Sequence, residues 1–316
     1  MVGYDEEQKQ LSEIWHGMAG VLSGMATRFL CQPFDVFKIR FQLQHEPLKP
    51  SQHNYYWGLM QALKRILSEE SYRALWKGHV PAQLLSGVYG LVQFGSFEYL
   101  TRYMHSYLIN EETVSRKAVI HFVSGSVSGA LATAFSFPFD TVRTRLVGQA
   151  EPKVYRGVYH AFQSMIRYEG ILSVYKGLIP ALLQIMPHTG VQFASFHLFS
   201  NLASNFKNQD KNSRKAFWHN LLCGSGAGLI SKLAVYPLDL TKKRLQVQGF
   251  EEARMRFGKV QKYTGTFQCL KHVATHEGVS GLYKGVYPSL LKAVVSSGLM
   301  FGTYEEVLRY FREYSP

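Results

Sequence analysis

The chain is poor in the features that build most secreted or soluble architectures. Its 316 residues include only three cysteines, Cys31, Cys223 and Cys269. They stand far apart with no Cys-x-x-Cys, which excludes a disulfide framework and a zinc ribbon and fits a reducing or membrane-buried setting. No run of 18 residues is free of polar breaks, so a plain hydropathy rule finds no membrane span. Acidic residues are scarce, 22 against 35 lysines and arginines, for a formal charge of +13. That balance favours an anionic partner: nucleic acid, an acidic lipid surface or an anionic small molecule. There is no glycine-rich phosphate loop and no nucleophile-base arrangement, which argues against an enzyme. Met1 to Gln10 resembles neither a secretory signal nor an Arg-rich presequence, and Val2 in place of glycine excludes N-myristoylation.

What the chain does have is repetition. Hydrophobic residues make up 46% and mean hydropathy is −0.10, values that suit a soluble protein until internal periods are sought. Three segments share a template. Gly20-x3-Gly24 precedes Pro33-Phe-Asp35-x-x-Lys38-x-Arg40; Gly125-x3-Gly129 precedes Pro138-Phe-Asp140-x-x-Arg143-x-Arg145; Gly224-x3-Gly228 precedes Pro237-Leu-Asp239-x-x-Lys242-x-Arg244. A second block follows each: Tyr56-x-Gly58, Tyr155-x-Gly157 and Tyr263-x-Gly265. Twenty residues further on come Trp76-Lys77-Gly78, Tyr175-Lys176-Gly177 and Tyr283-Lys284-Gly285. Acidic-Gly pairs stand before the latter at Glu169-Gly170 and Glu277-Gly278, while the first repeat has Glu70-Ser71.

Each unit reads as helix, loop, short helix, helix. Trp15 to Gln44 is long enough to span a bilayer with tilt. Gly-x3-Gly offers a surface for close helix packing. Pro33, Pro138 and Pro237 should kink their helices. Leu59 to Leu67 has the spacing of a short amphipathic helix, and a second span runs from about Pro81 to Tyr103. The expected fold is an all-α membrane protein. Six transmembrane helices form three pseudo-symmetric repeats around a central cavity, with three short amphipathic helices between the spans. The repeats fall at 10–105, 116–205 and 216–312. Ionisable groups in such spans face an interior path rather than lipid, which accounts for the mild hydropathy.

The triple Pro-x-Asp-x-x-Lys/Arg-x-Lys/Arg motif, each copy followed by an aromatic-Lys-Gly block, resembles the mitochondrial carrier family over nearly the whole chain. The resemblance implies a monomeric, multi-pass transporter of the mitochondrial inner membrane. It also implies ion pairs of Asp35 with Arg143, Asp140 with Lys242 and Asp239 with Lys38, forming a gate at the matrix end. Gln42 and Gln246, nine residues after their prolines, match the family's bracing glutamine; Val147 stands there in repeat two, so two braces at most are expected. On the opposite side, Glu98 and Glu305 have their cations, Arg102 and Arg309, one place late, and Phe196-His197 lacks the acid. A weak second gate follows. The aromatic-x-Gly and aromatic-Lys-Gly motifs resemble the family's cardiolipin sites, here at Gly58, Gly78, Gly157, Gly177, Gly265 and Gly285.

Positions that break the symmetry point to the ligand, because a purely structural role should recur in every repeat. Five residues before each proline stand Arg28, Thr133 and Lys232. Seven after each Lys-Gly glycine stand Leu85, Gln184 and Lys292, which the resemblance places at the substrate contact points. Arg28, Lys232 and Lys292 should form a cationic cluster for an anionic phosphorylated small molecule, a diphosphate in particular. Tyr89, His188, Phe94 and Phe193 are aromatic candidates for stacking, or simple packing. Stretches such as PFDVFKIRFQLQHE and YPLDLTKKRLQVQGFE resemble family members that carry thiamine pyrophosphate. The expected activity is therefore its exchange for nucleotides or related phosphates. Two alternatives stay open: a carrier of nucleotides or another phosphorylated cofactor, and a proton-leak or channel-like uncoupling protein. His272 and His276 stand four apart but lack a third ligand, so no metal is expected. Lys242-Lys243-Arg244 recurs with Pro and Asp, which argues against nucleic acid. No cofactor is expected beyond the transported thiamine pyrophosphate and a structural cardiolipin.

Overall fold

A computed structural model of the chain describes residues 13–48, 55–108, 114–149, 151–205, 213–251, 253 and 261–314. Met1 to Gln10 lies outside the described residues. The order is the same in each repeat: long helix, short helix, one tight helical turn, long helix. In repeat one these are α1 (Glu13–Leu43), α2 (Leu59–Glu69), a 3-10 turn at Tyr72–Trp76 and α3 (His79–Leu108). In repeat two they are α4 (Val114–Gly148), α5 (Val158–Glu169), a 3-10 turn at Ile171–Tyr175, then α6 (Leu178–Leu183) and α7 (Ile185–Asn205). In repeat three they are α8 (Ser213–Gln246), α9 (Thr266–His276), α10 (Gly278–Leu282) and α11 (Val286–Tyr314). The helical turn before each second span was not foreseen, nor was the break at Gln184 between α6 and α7. Pro187 has no N–H to give the Leu183 carbonyl, so the ladder lapses there.

The helices α1, α4 and α8 have 31, 35 and 34 residues, long enough at about 1.5 Å per residue to cross a bilayer. Among the described residues, only 120–148 is apolar enough on composition to be read as a span by itself, with the bent pair 158–169 and 171–201 as a second candidate. The polarity is instead arranged inside out. Leu91, Ile179 and Val294 are among many large apolar side chains turned outward. The fully buried side chains include Arg145, Arg244, Gln42 and Gln246.

All three prolines lie inside helices that continue past them. In α1, Pro33 cannot serve the carbonyl of Phe29, and the Trp76 indole N–H takes it instead at 3.1 Å. The short helices pack by an i, i+4 pair: Ala62 and Ile66, Ala161 and Met165, Cys269 and Val273. Each seals a small apolar core against Phe37 and Tyr56, Val142 and Tyr155, or Leu240 and Tyr263. Long helices neighbour one another as α1 with α11, α3 with α4 and α7 with α8, and α1, α4 and α8 also meet one another.

The Gly-x3-Gly expectation is corrected by this arrangement. A Cβ at Gly20, Gly24, Gly129, Gly224 or Gly228 would meet nothing within 4 Å, and at Gly125 only Phe97, at 3.9 Å. The close approach falls on other glycines. Gly78, Gly177 and Gly285 have φ of +76°, +89° and +81°. A Cβ there would come within 3.2, 2.8 and 2.8 Å of the carbonyls of Arg143, Lys242 and Lys38. Each belongs to the next repeat in cyclic order, so these glycines are the joints of the ring.

Candidate functional site

Below the cavity, the three helices with the proline motif bring their charges together. Arg143 Nη2 donates to Asp35 at 2.6 Å, Lys242 Nζ lies 2.7 Å from Asp140, and Lys38 Nζ lies 2.7 Å from Asp239. Every pair joins two repeats. The i, i+3 spacing makes this possible: acid and cation share a face at one level and each finds its opposite on a different neighbour. Gln42 Nε2 donates to Asp239 at 3.0 Å and Gln246 Nε2 to Asp140 at 2.9 Å. Val147, fully buried, fills the matching position beside Arg143.

Sequence reasoning missed Lys243. Its ammonium reaches Asp140 at 2.8 Å, Thr144 at 3.0 Å and Gln246 Oε1 at 3.1 Å, so Asp140 holds two lysines and a glutamine. No pattern could have shown this, because Ile39 and Thr144 occupy the equivalent places.

It also left a second layer unassigned. The last cation of each motif, Arg40, Arg145 or Arg244, forms a fork with the acid ahead of the helical turn. Nη2 to Oε2 is 2.8 Å for Glu70, Glu169 and Glu277 alike. Lys77, Lys176 and Lys284 join the same carboxylates. Each arginine Nε then donates across to the next repeat, to Val147 O, Gln246 O and Gln42 O at 3.2, 3.0 and 3.1 Å. The signal was present, since both members recur in all three repeats. These acids lie at the ends of the short helices α2, α5 and α9, outside the long helices. For Glu277, burial pushes the carboxyl up, but Arg244, His45 and Lys284 outweigh burial and hold it below its ordinary value. Glu70 and Glu169 shift the same way, with Arg40 and Lys77, or Arg145 and Lys176, outweighing burial.

Above the ion pairs lies a cavity of about 470 Å³. Leu85, Thr133, Gln184 and Lys232 line it, as do Tyr89 and His188, while Phe94 and Phe193 are exposed and not among its lining. Of the three cations expected to cluster, Lys232 lines the cavity and Arg28 and Lys292 are not among its lining, and each has an acceptor of its own. Arg28 Nη1 donates to Ala82 O at 3.4 Å and Lys232 Nζ to Ser289 O at 2.9 Å, two equivalent carbonyls of the second spans. Lys292 reaches down to Asp35. Thr133, too short for either task, bonds within its own helix to Gly129 O.

At the far end, the ion pairs among the described residues stay within one helix. Glu98 pairs with Arg102, and Arg309 with Glu306. The His272 and His276 rings stack at 4.1 Å, and no group of three metal-ligating side chains occurs among the described residues. Gly58, Gly157 and Gly265 cap α2, α5 and α9 in extended conformation with open space beside them.

A threefold helical ring, closed by ion pairs at one end beneath a central cavity, defines a membrane carrier. The chain belongs to the mitochondrial carrier family: its sequence matches the mitochondrial carrier protein profile over residues 9–108, 115–207 and 213–315. It is similar to the mitochondrial thiamine pyrophosphate carrier of Homo sapiens, 48% identical over 96% of this chain and 95% of that protein. The carrier of the same name from Bos taurus is 46% identical over 98% of both chains. The mitochondrial thiamine diphosphate carrier 1 of Zea mays is 36% identical over 97% of both. The protein is thus a multi-pass transporter of the mitochondrial inner membrane, not an enzyme.

Proposed function

We propose that the protein carries thiamine pyrophosphate across the inner membrane, in exchange for nucleotides or related phosphates, by alternating access. One observation carries the reading: the cavity floor is a closed ring of inter-repeat ion pairs, Lys232 lines the cavity above it, and Lys292 reaches the ring at Asp35. The names of the relatives supply the cargo.

In this reading Asp35, Lys38, Asp140, Arg143, Asp239 and Lys242 are the matrix gate, and Gln42 and Gln246 brace it. Each pair nets about 1–3 kcal/mol, because desolvation offsets much of the Coulomb attraction, so binding energy can tip the equilibrium. Pro33, Pro138 and Pro237 supply the bends that bring the charged ends together. Arg28, Lys232, Lys292, Gln184, Leu85 and Thr133 form the substrate site. The diphosphate draws the cations off their carbonyl and carboxylate acceptors, and Gln184 faces the heteroaromatic end. Cardiolipin phosphates bind at the open helix starts of Gly58, Gly157 and Gly265, with Gly78, Gly177 and Gly285 completing each site beside the ring joint. The working unit is a monomer.

Uptake of labelled compounds into liposomes carrying the purified protein tests this. Thiamine pyrophosphate should exchange well ahead of ATP; equal rates would move the assignment to a nucleotide carrier. Conductance independent of substrate would move it to a leak protein.

A further inference from the structure

Each gate acid has a second donor besides its inter-repeat cation, but the three donors are not alike. Gln42 serves Asp239 and Gln246 serves Asp140. Both lie four residues beyond the cation they support, fully buried on the side of the ion pairs away from the cavity. Asp35 has Val147 at that place, and an isopropyl group donates nothing. Its second donor is Lys292, whose Nζ lies 2.8 and 2.7 Å from the two carboxylate oxygens, while Arg143 holds Oδ2 at 2.6 Å. Lys292 belongs to α11, and it is the repeat-three counterpart of Leu85 and Gln184, both of which line the cavity. It is also the most open of the gate cations. Its side chain is 31% exposed, against 19% for Lys38, 15% for Arg143 and 14% for Lys242.

We propose that Lys292 is a latch shared by substrate and gate, completing the Asp35 corner in the empty carrier and leaving it for the phosphate of an entering substrate. The proposal rests on the reading of Lys292 as a phosphate contact. A diphosphate offers more negative charge and more acceptor oxygens than one carboxylate, so it competes for the ammonium. Once Lys292 moves, Asp35 keeps Arg143 alone and becomes the one corner without a second donor. The other corners cannot respond in this way, because their glutamines sit below the ion pairs. An empty carrier therefore stays shut at the matrix end and a loaded one is released, as strict exchange requires. Linkage demands the converse: weakening the Asp35 corner must tighten phosphate binding.

The test uses the purified full-length carrier, with inorganic pyrophosphate as probe and two readouts, thermal unfolding and binding. Without ligand, Lys292→Ala should lower the unfolding temperature, and adding Val147→Gln should restore it by supplying the missing brace. Asp35→Asn should raise pyrophosphate affinity about tenfold, Asp239→Asn much less, and the gain should vanish when Lys292→Ala is also present. An unfolding temperature unchanged or raised by Lys292→Ala overturns the latch, as do equal affinity gains from Asp35→Asn and Asp239→Asn. A wild-type carrier that binds neither pyrophosphate nor thiamine pyrophosphate overturns the substrate reading itself, and the latch with it.

Discussion

Gly177 rests on the carbonyl of Lys242, so close that a Cβ would stand 2.8 Å from that oxygen, and it does so at φ +89°. Gly285 repeats the contact on Lys38. A gate cation and a ring joint thus share one residue. Gly177→Ala and Gly285→Ala should each cost ~1–3 kcal/mol from the left-handed backbone alone, with the clash added. Thermal unfolding of the purified carrier measures this; a shift no larger than that of Gly129→Ala, where space is open, would refute it.

The arginine-glutamate forks should be the costliest single sites. Glu169→Gln leaves Arg145, whose side chain is wholly buried, without its counter-charge. Breaking such a pair from one side costs about 3–5 kcal/mol. Low yield of folded protein and a large fall in unfolding temperature are expected, with Glu251→Gln as a control nearby.

Acid should unfold the carrier through the same residues. Glu70, Glu169 and Glu277 are held below the ordinary value of 4.5 in the folded chain. A lowered carboxyl contributes stability that is complete above its unfolded value and is lost as pH falls towards its folded one. Unfolding temperature should therefore vary little on account of these groups between pH 8 and roughly pH 5, then drop below about pH 4.5. The drop should shrink in Glu169→Gln if that variant folds.

The two braces are unequal. Gln246 bonds Asp140, Thr144 and Lys243, whereas Gln42 contributes one gate bond, to Asp239. Gln246→Ala should cost about 1–3 kcal/mol and Gln42→Ala nearer 1. Unfolding of the empty carrier compares them directly, and the reverse order would mean that Lys243 adds nothing to its corner.

Arg28→Ala and Lys232→Ala should each reduce exchange of thiamine pyrophosphate by about tenfold to a hundredfold, the loss of one charge-assisted phosphate bond. Insertion into liposomes should be unchanged, because each gives up only a carbonyl contact, to Ala82 or Ser289. Normal exchange by either variant would remove it from the site.

The sequence by itself determined whatever is written three times. The proline-aspartate motifs, the aromatic-glycine blocks and the offsets between them required a threefold helical ring with both charge signs at one level, since helical geometry fixes which residues share a face. Hydropathy hid the spans because their polar faces turn inward, and repetition exposed them. Tertiary structure alone decided what occurs once. Lys292 and Asp35 are 257 residues apart, and Lys243 meets Asp140 across 103. No period announces such contacts; they follow from which neighbour the ring places beside each acid. The empty Gly-x3-Gly faces and the cations resting on carbonyls are decided in the same way, by which neighbours the bundle sets beside them.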